Sequence, residues 1–169
     1  MIKLFGVTFT YNESVMIPYV MPYFERMGFD KLIVYDNMST DDTVKLLKKY
    51  PFVEVRPFDT GGKKSNREMA KVKSDAWKEF QKEQNAWIYI GDFDEVLYYN
   101  GDFKSYLNKM SLEGYDYLNQ PMIEILSETF PVKDKLAHES VKKGSIWGGT
   151  NTGGAKMTLF KIHSLWQIT

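Results

Sequence analysis

Apolar positions along the first two thirds of the chain switch repeatedly between two periods, and the switches mark the elements. Lys3–Thr10 gathers Leu4, Phe5, Val7 and Phe9 in one short run and reads as a first strand. Residues 13–27 space Val15, Val20, Met21, Phe24 and Met27 for one face of a helix, with Pro18 and Pro22 as the places where it would kink. Residues 31–35, KLIVY, form a nearly continuous apolar run, the pattern of a strand buried on both faces. Ser39 followed by Asp42 fits a capping box opening a helix to about Tyr50. Residues 52–58 read as a third strand and residues 65–84 as a helix presenting Met69, Val72, Ala76 and Phe80. Residues 86–91 are the fourth strand.

Beyond Asp92 the rhythm changes. Residues 102–110 predict a short helix, and 115–126 a long strand broken at Pro121. Residues 133–154 predict an irregular loop and 156–163 a last strand. The βαβαβαβ order predicts an α/β domain, Rossmann-like, with a mostly parallel sheet flanked by helices and a mixed C-terminal portion. Right-handed crossovers then bring every parallel strand's C-terminal end to one rim, where ligands of such sheets bind.

Composition narrows the function classes. A chain of 169 residues with 43% apolar positions fits one folded domain, 1–169, without repeats or linkers. Its 22 basic and 22 acidic residues cancel, which removes the basic excess expected of a nucleic-acid binder. The absence of cysteine excludes disulfides and cysteine-bound zinc and is compatible with the cytoplasm. The N-terminus lacks a signal-peptide pattern, and no stretch approaches the ~20 apolar residues that span a bilayer. A cytoplasmic location is therefore the expectation, with the inner face of a membrane as an allowed variant.

The candidate chemistry lies in the residues just past each strand. The four runs are Thr10-Tyr11-Asn12-Glu13, Asp36-Asn37-Met38-Ser39, Asp59-Thr60-Gly61-Gly62-Lys63-Lys64, and Asp92-Phe93-Asp94-Glu95. Close carboxylates repel unless they share a partner, and a hard divalent cation, which takes oxygen ligands and bridges to phosphates, is the natural one. Local alternatives stand beside this. Asn12 could cap the first helix, Asp41 and Asp42 suit the N-terminal dipole of the second, and GGKKSNR could be a solvated loop. A dinucleotide site would need GxGxxG where the chain has TYNE, and Gly61-Gly62-Lys63-Lys64-Ser65 matches a P-loop only in composition. DFDEVL also resembles the DxDxT motif of haloacid-dehalogenase-like phosphatases, but on the fourth strand rather than the first.

In order and spacing, TYNE after the first strand, VYDNMSTDDT after the second and DFDEVL as a DxD motif make residues 3–100 resemble the nucleotide-sugar-dependent glycosyltransferases of the GT-A fold, specifically family 2-like members. The resemblance implies a nucleotide-sugar-binding half, 1–100, and an acceptor-side half, 101–169. It implies that Thr10, Tyr11, Asn12 and Glu13 line the nucleoside pocket and that Asp36, with Asn37 and Ser39 beside it, binds the base. Lys64 and Arg67 would meet phosphate, and Asp92 the ribose or the metal shell. Asp94 would ligate Mn2+ or Mg2+, with His163 completing the shell. The implied reaction moves a sugar from a nucleoside-diphosphate sugar, a UDP-sugar favoured, to a saccharide or other hydroxyl acceptor with inversion. Among Asp116, Glu124, Glu128 and Glu139, Glu124 is the expected general base. Lys156, Trp147, Trp166 and the Gly148-Gly149 pair are candidates for phosphate and acceptor contacts.

Enzymes of this class usually run longer. A chain stopping at Thr169 therefore reads as truncated, minimal or degenerate. The competing expectation is a module that binds nucleotide sugars without transferring them.

Overall fold

A computed structural model describes residues 1–61, 63, 65–120, 122–125, 128–133, 135–140, 144–147 and 156–161. Strand β1 (Lys3–Thr10) is buried at every position after Lys3, because it lies between β2 (Lys31–Asp36) and β4 (Ala86–Ile90). Both neighbours pair with it in parallel, and β3 (Val53–Pro57) adds a further parallel strand on β2. Near-continuous apolar runs such as LIV and WIYI are what a strand covered on both faces requires.

Alternation sends Leu4, Leu32, Val34, Trp87 and Tyr89 into one core and Phe5, Val7, Ile33 and Ile88 into another. The first core is closed by α1 (Ile17–Met27), which buries Val20, Met21, Phe24 and Met27 as predicted. Val15 precedes the helix and is 61% exposed, against the expectation that it faces inward. Pro18 falls in the first turn, where a missing N–H costs nothing, and the helix continues through Pro22. Gly28, with φ 73°, ends α1 in the left-handed conformation.

The helix α2 (Thr43–Leu47) begins later than the predicted capping box, because Ser39 is engaged by the loop after β1. The helix expected over residues 65–84 is two pieces. The first is α3 (Asn66–Asp75), with Ser65 Oγ accepting from the Glu68 N–H at 3.4 Å, and the second a 3-10 turn at Ala76–Phe80. α3 buries no residue; its continuation is pinned by Phe80, stacked on Phe5 with ring centroids 4.2 Å apart. Between α3 and the sheet lies a cavity of about 380 Å3, lined by Tyr35, Phe58, Val72 and carboxylates that are already ion-paired. One of these, Glu79, is held down to about 2 by the Arg56 guanidinium, at 2.6 and 2.9 Å.

After α4 (Phe103–Leu112) the predicted strand over 115–126 divides. β5 (Tyr117–Gln120) joins the main sheet, whereas β6 (Met122–Ile125) pairs with β7 (Gly144–Trp147) in a second sheet. The break falls at Pro121, which has no N–H to donate to a ladder. Residues 133–154, expected as a loop, include α5 (Ala137–Ser140) and β7. β8 (Lys156–Lys161) runs antiparallel between β4 and β5, giving the order β3-β2-β1-β4-β8-β5. β5 therefore points the same way as β4, and its end at Gln120 faces the same rim. The α/β class with a mixed C-terminal portion is as predicted. Among the described residues, no helix is long and apolar enough to cross a membrane.

Candidate active site

The C-terminal ends of β1, β2 and β4 form one rim, and its first two loops are stitched together before any ligand is considered. Asn12 N–H donates to Ser39 Oγ at 2.8 Å, and Thr40 N–H donates back to Asn12 Oδ1 at 2.8 Å. Glu13 N–H donates to Thr43 Oγ1 at 2.8 Å and Ser14 N–H to Asp41 Oδ2 at 3.1 Å, while Asp41 Oδ1 accepts from the Thr43 N–H. Asp41, not Ser39, therefore takes up the first N–H of α2, that of Thr43. Burial pushes the Asp41 carboxyl up, but its bonds from Ser14 and Thr43 outweigh that and hold it below the usual range.

Asn12 does not cap α1, whose N-terminus has no side-chain cap. It adopts φ 54° and bridges to the neighbouring loop instead. Asn37 is likewise committed: its Oδ1 accepts from Thr60 N–H at 3.0 Å, and its Nδ2 donates to the Lys63 carbonyl at 3.3 Å. Asn37 and Ser39 thus hold the rim loops in place.

What remains is a small polar floor. Asp36 is 7% exposed and Thr10 4%, paired across β1 and β2 on one face. Asp36 Oδ2 accepts from Ser39 N–H at 3.1 Å, but Asp36 Oδ1 and Thr10 Oγ1 are buried without a hydrogen-bond partner among the described residues. Such groups are costly to leave unpaired, so they mark a place built for an external donor or acceptor. In the adjoining loops Met38 takes φ 60° while 53% exposed, and Tyr11 is 44% exposed. A left-handed methionine stores strain of about 1–2 kcal/mol, as residues around binding sites often do.

β4 ends at Ile90, and after Gly91 the chain turns, with Glu95 N–H donating to the Asp92 carbonyl at 3.1 Å. Phe93 is 2% exposed and stacks on Phe24, while the neighbouring Asp94 is exposed and Asp92 half-buried. The Tyr89 hydroxyl donates to the Glu95 carbonyl and fixes this turn. Burial, then the charges of Glu95, Asp92 and Asp94, push that hydroxyl well above its ordinary value, so it stays a donor. Burial, then the charges of Asp94 and Asp41, likewise push Glu13 up, which places carboxylates from all three loops within reach of one another's fields.

Among the described residues, no three acidic or histidine side chains converge tightly enough to hold a metal. That donor set still suits a hard cation that arrives with a diphosphate, since Mg2+ in such sites takes one or two carboxylates plus phosphate oxygens. Asp92 Oδ1 accepts an ion pair from Lys73 Nζ at 2.8 Å, a contact that sequence reasoning misses. Its signal is faint: a lysine one helical repeat past Met69, on a helix leading into β4.

Of the other expected residues, Arg67 is exposed in the first turn of α3. Glu124 lies on β6, opposite Ser145 of β7. Trp147 ends β7 and Lys156 begins β8. Lys64, His163, Trp166, Gly148 and Gly149 lie outside the described residues.

A parallel α/β sheet with these loops at one edge is a GT-A-like fold. Residues 5–152 match the model of glycosyltransferase family 92, and the chain belongs to that family. The resemblance to family 2-like enzymes holds at the level of a GT-A-like glycosyltransferase. No curated relative matches the chain.

Among solved structures, S. aureus TarS is 19% identical, covers 69% of this chain and 21% of its own, and superposes with a TM-score of 0.50. A 4-diphosphocytidyl-2C-methyl-D-erythritol synthase is 12% identical over 96% of this chain and 76% of its own, with a TM-score of 0.50. The mannosyltransferase PcManGT from Pyrobaculum calidifontis, in complex with GDP-Man and Mn2+, is 13% identical over 75% of this chain and 36% of its own, at 0.45. The two likenesses at 0.50 show the fold alone. The chain spans 21% to 32% of the length of the TarS chains it matches.

Proposed function

We propose that this chain transfers a sugar from a nucleoside-diphosphate sugar, a UDP-sugar favoured, to an acceptor hydroxyl. The observation that carries the reading is a buried Asp36 Oδ1, without a hydrogen-bond partner among the described residues, on the same rim as an exposed Asp94 and a half-buried Asp92. The N3–H of uracil is a donor that Asp36 Oδ1 would accept, with Tyr11 and Met38 flanking the ring and Thr10, Asn12 and Glu13 completing the wall. Neutral cytosine offers only an acceptor at N3 and would leave the carboxylate oxygen unpaired, a cost of about 1–3 kcal/mol. Asn37 and Ser39 serve the base indirectly, through the loops they hold.

A divalent cation, Mn2+ or Mg2+, bound by Asp94 and Asp92 with His163, would neutralise charge on the departing diphosphate. Lys64 and Arg67 would face its phosphates. Glu124 would take the proton from the attacking acceptor hydroxyl, giving inversion in one displacement. Its support is directional: β5 ends toward the rim, and β6 starts two residues later. A glycine-rich GxGTR-like turn, expected for nucleotidyl transfer on a related fold, is absent after β1.

The test is release of nucleoside diphosphate from a panel of nucleotide sugars with Mn2+ and simple saccharide acceptors. Release should be fastest from UDP-sugars and at least about fivefold slower from CDP-sugars, the lower end of that pairing cost. Tight binding with no release from any donor would instead make the chain a binding module.

A further inference from the structure

Lys73 has no part in the proposed transfer, yet it touches the DxD motif directly. Its ammonium sits 2.8 Å from Asp92 Oδ1 and 5.6 Å from the centroid of the Phe9 ring at the end of β1. Phe9 is itself held by Tyr35 and Phe58, with ring centroids 5.4 and 5.3 Å away. The lysine is thus clamped between a carboxylate and an aromatic face, both side chains of the ion pair being about 30% exposed. It comes from α3, which buries no residue and so has little else to fix it to the sheet.

An ammonium on Asp92 and a divalent cation on the same carboxylate repel each other, and they do so most where water is partly excluded. A diphosphate removes the conflict, because its oxygens accept the ammonium and share the cation. Resting on the donor-site reading, we propose that Lys73 is a positioning residue that couples the two ligands. It holds Asp92 in the free protein and releases it as diphosphate arrives, so that cation and nucleotide bind well only together. The bland rival is that the ion pair merely anchors α3.

Mn2+ binding, followed by loss of the free-ion electron paramagnetic resonance signal, separates the two. It is measured with and without UDP for the parent, Lys73→Met and Lys73→Arg. Methionine keeps an unbranched side chain of similar length without the charge. Lys73→Met is expected to bind Mn2+ alone more tightly than the parent, while the gain in Mn2+ affinity on adding UDP shrinks at least about fivefold. Lys73→Arg should keep the parent's coupling.

Unchanged Mn2+ binding by Lys73→Met in both conditions would overturn the inference. So would equal losses in both conditions with a lowered melting point, the mark of an anchor. A parent that binds no Mn2+ even with UDP would sink the donor-site reading, and this inference with it.

Discussion

Asp94→Asn is expected to slow sugar transfer on the order of a thousandfold while leaving the protein folded. Asparagine keeps the shape of the side chain and removes the charge that would hold a cation against the diphosphate. The fold has little stake in that charge. Asp94 is exposed, and its field raises Glu13, so neutralising it relieves a repulsion. The melting temperature should therefore hold steady or rise slightly. The comparison is kcat/KM with a UDP-sugar beside a thermal melt. A variant within tenfold of the parent would remove Asp94 from the proposed metal site.

Gly91→Ala is expected to cost about 2–4 kcal/mol of stability, and with it about 5–15 °C in melting temperature. The new methyl would fall on the Tyr89 hydroxyl. That ring cannot step aside, because it packs between Phe24 and Phe29 with centroids 6.2 and 6.1 Å away. Nor can the backbone yield cheaply, since Gly91 N–H donates to the Val7 carbonyl at 3.1 Å. Displacing the hydroxyl also breaks its bond to the Glu95 carbonyl and loosens the turn carrying Asp92 and Asp94. Tyr89→Phe removes the nearest clashing atom but leaves Cζ in the way, so the double variant should recover only a small part of the loss seen in Gly91→Ala alone. Melts of the three variants decide it, and a Gly91→Ala protein that melts with the parent would show that the Tyr89 hydroxyl is not locked.

The parallel strands were legible because burial on both faces leaves an unmistakable apolar run, as in KLIVY and AWIYI. The rim followed from topology alone, and with it Asp36 and the DxD turn. Partners in space were not legible. Asn12 and Thr40 lie 28 residues apart, Lys73 and Asp92 19 apart, and no local propensity announces such pairs. For that reason Asn12 and Ser39 looked like caps, when each holds the other's loop. Asp36 divides between two tasks that spacing cannot separate: Oδ2 serves the turn, and Oδ1 has no partner among the described residues.

The split at Pro121 was visible, but alternation in YLNQ and MIEI says nothing about which sheet each strand joins. The helix over residues 65–84 was overextended because its apolar stripe continues into the 3-10 turn that carries Phe80.

The central claim is that the rim binds a nucleoside diphosphate through Asp36 and a cation held by the DxD aspartates. Calorimetric titration of the parent protein with UDP, in Mn2+ and again after chelation, tests it most directly. The account predicts saturable binding in Mn2+ that weakens at least about a hundredfold with the chelator, as loss of a bridging metal would require. Equal affinity in both conditions, or no binding in either, would contradict it.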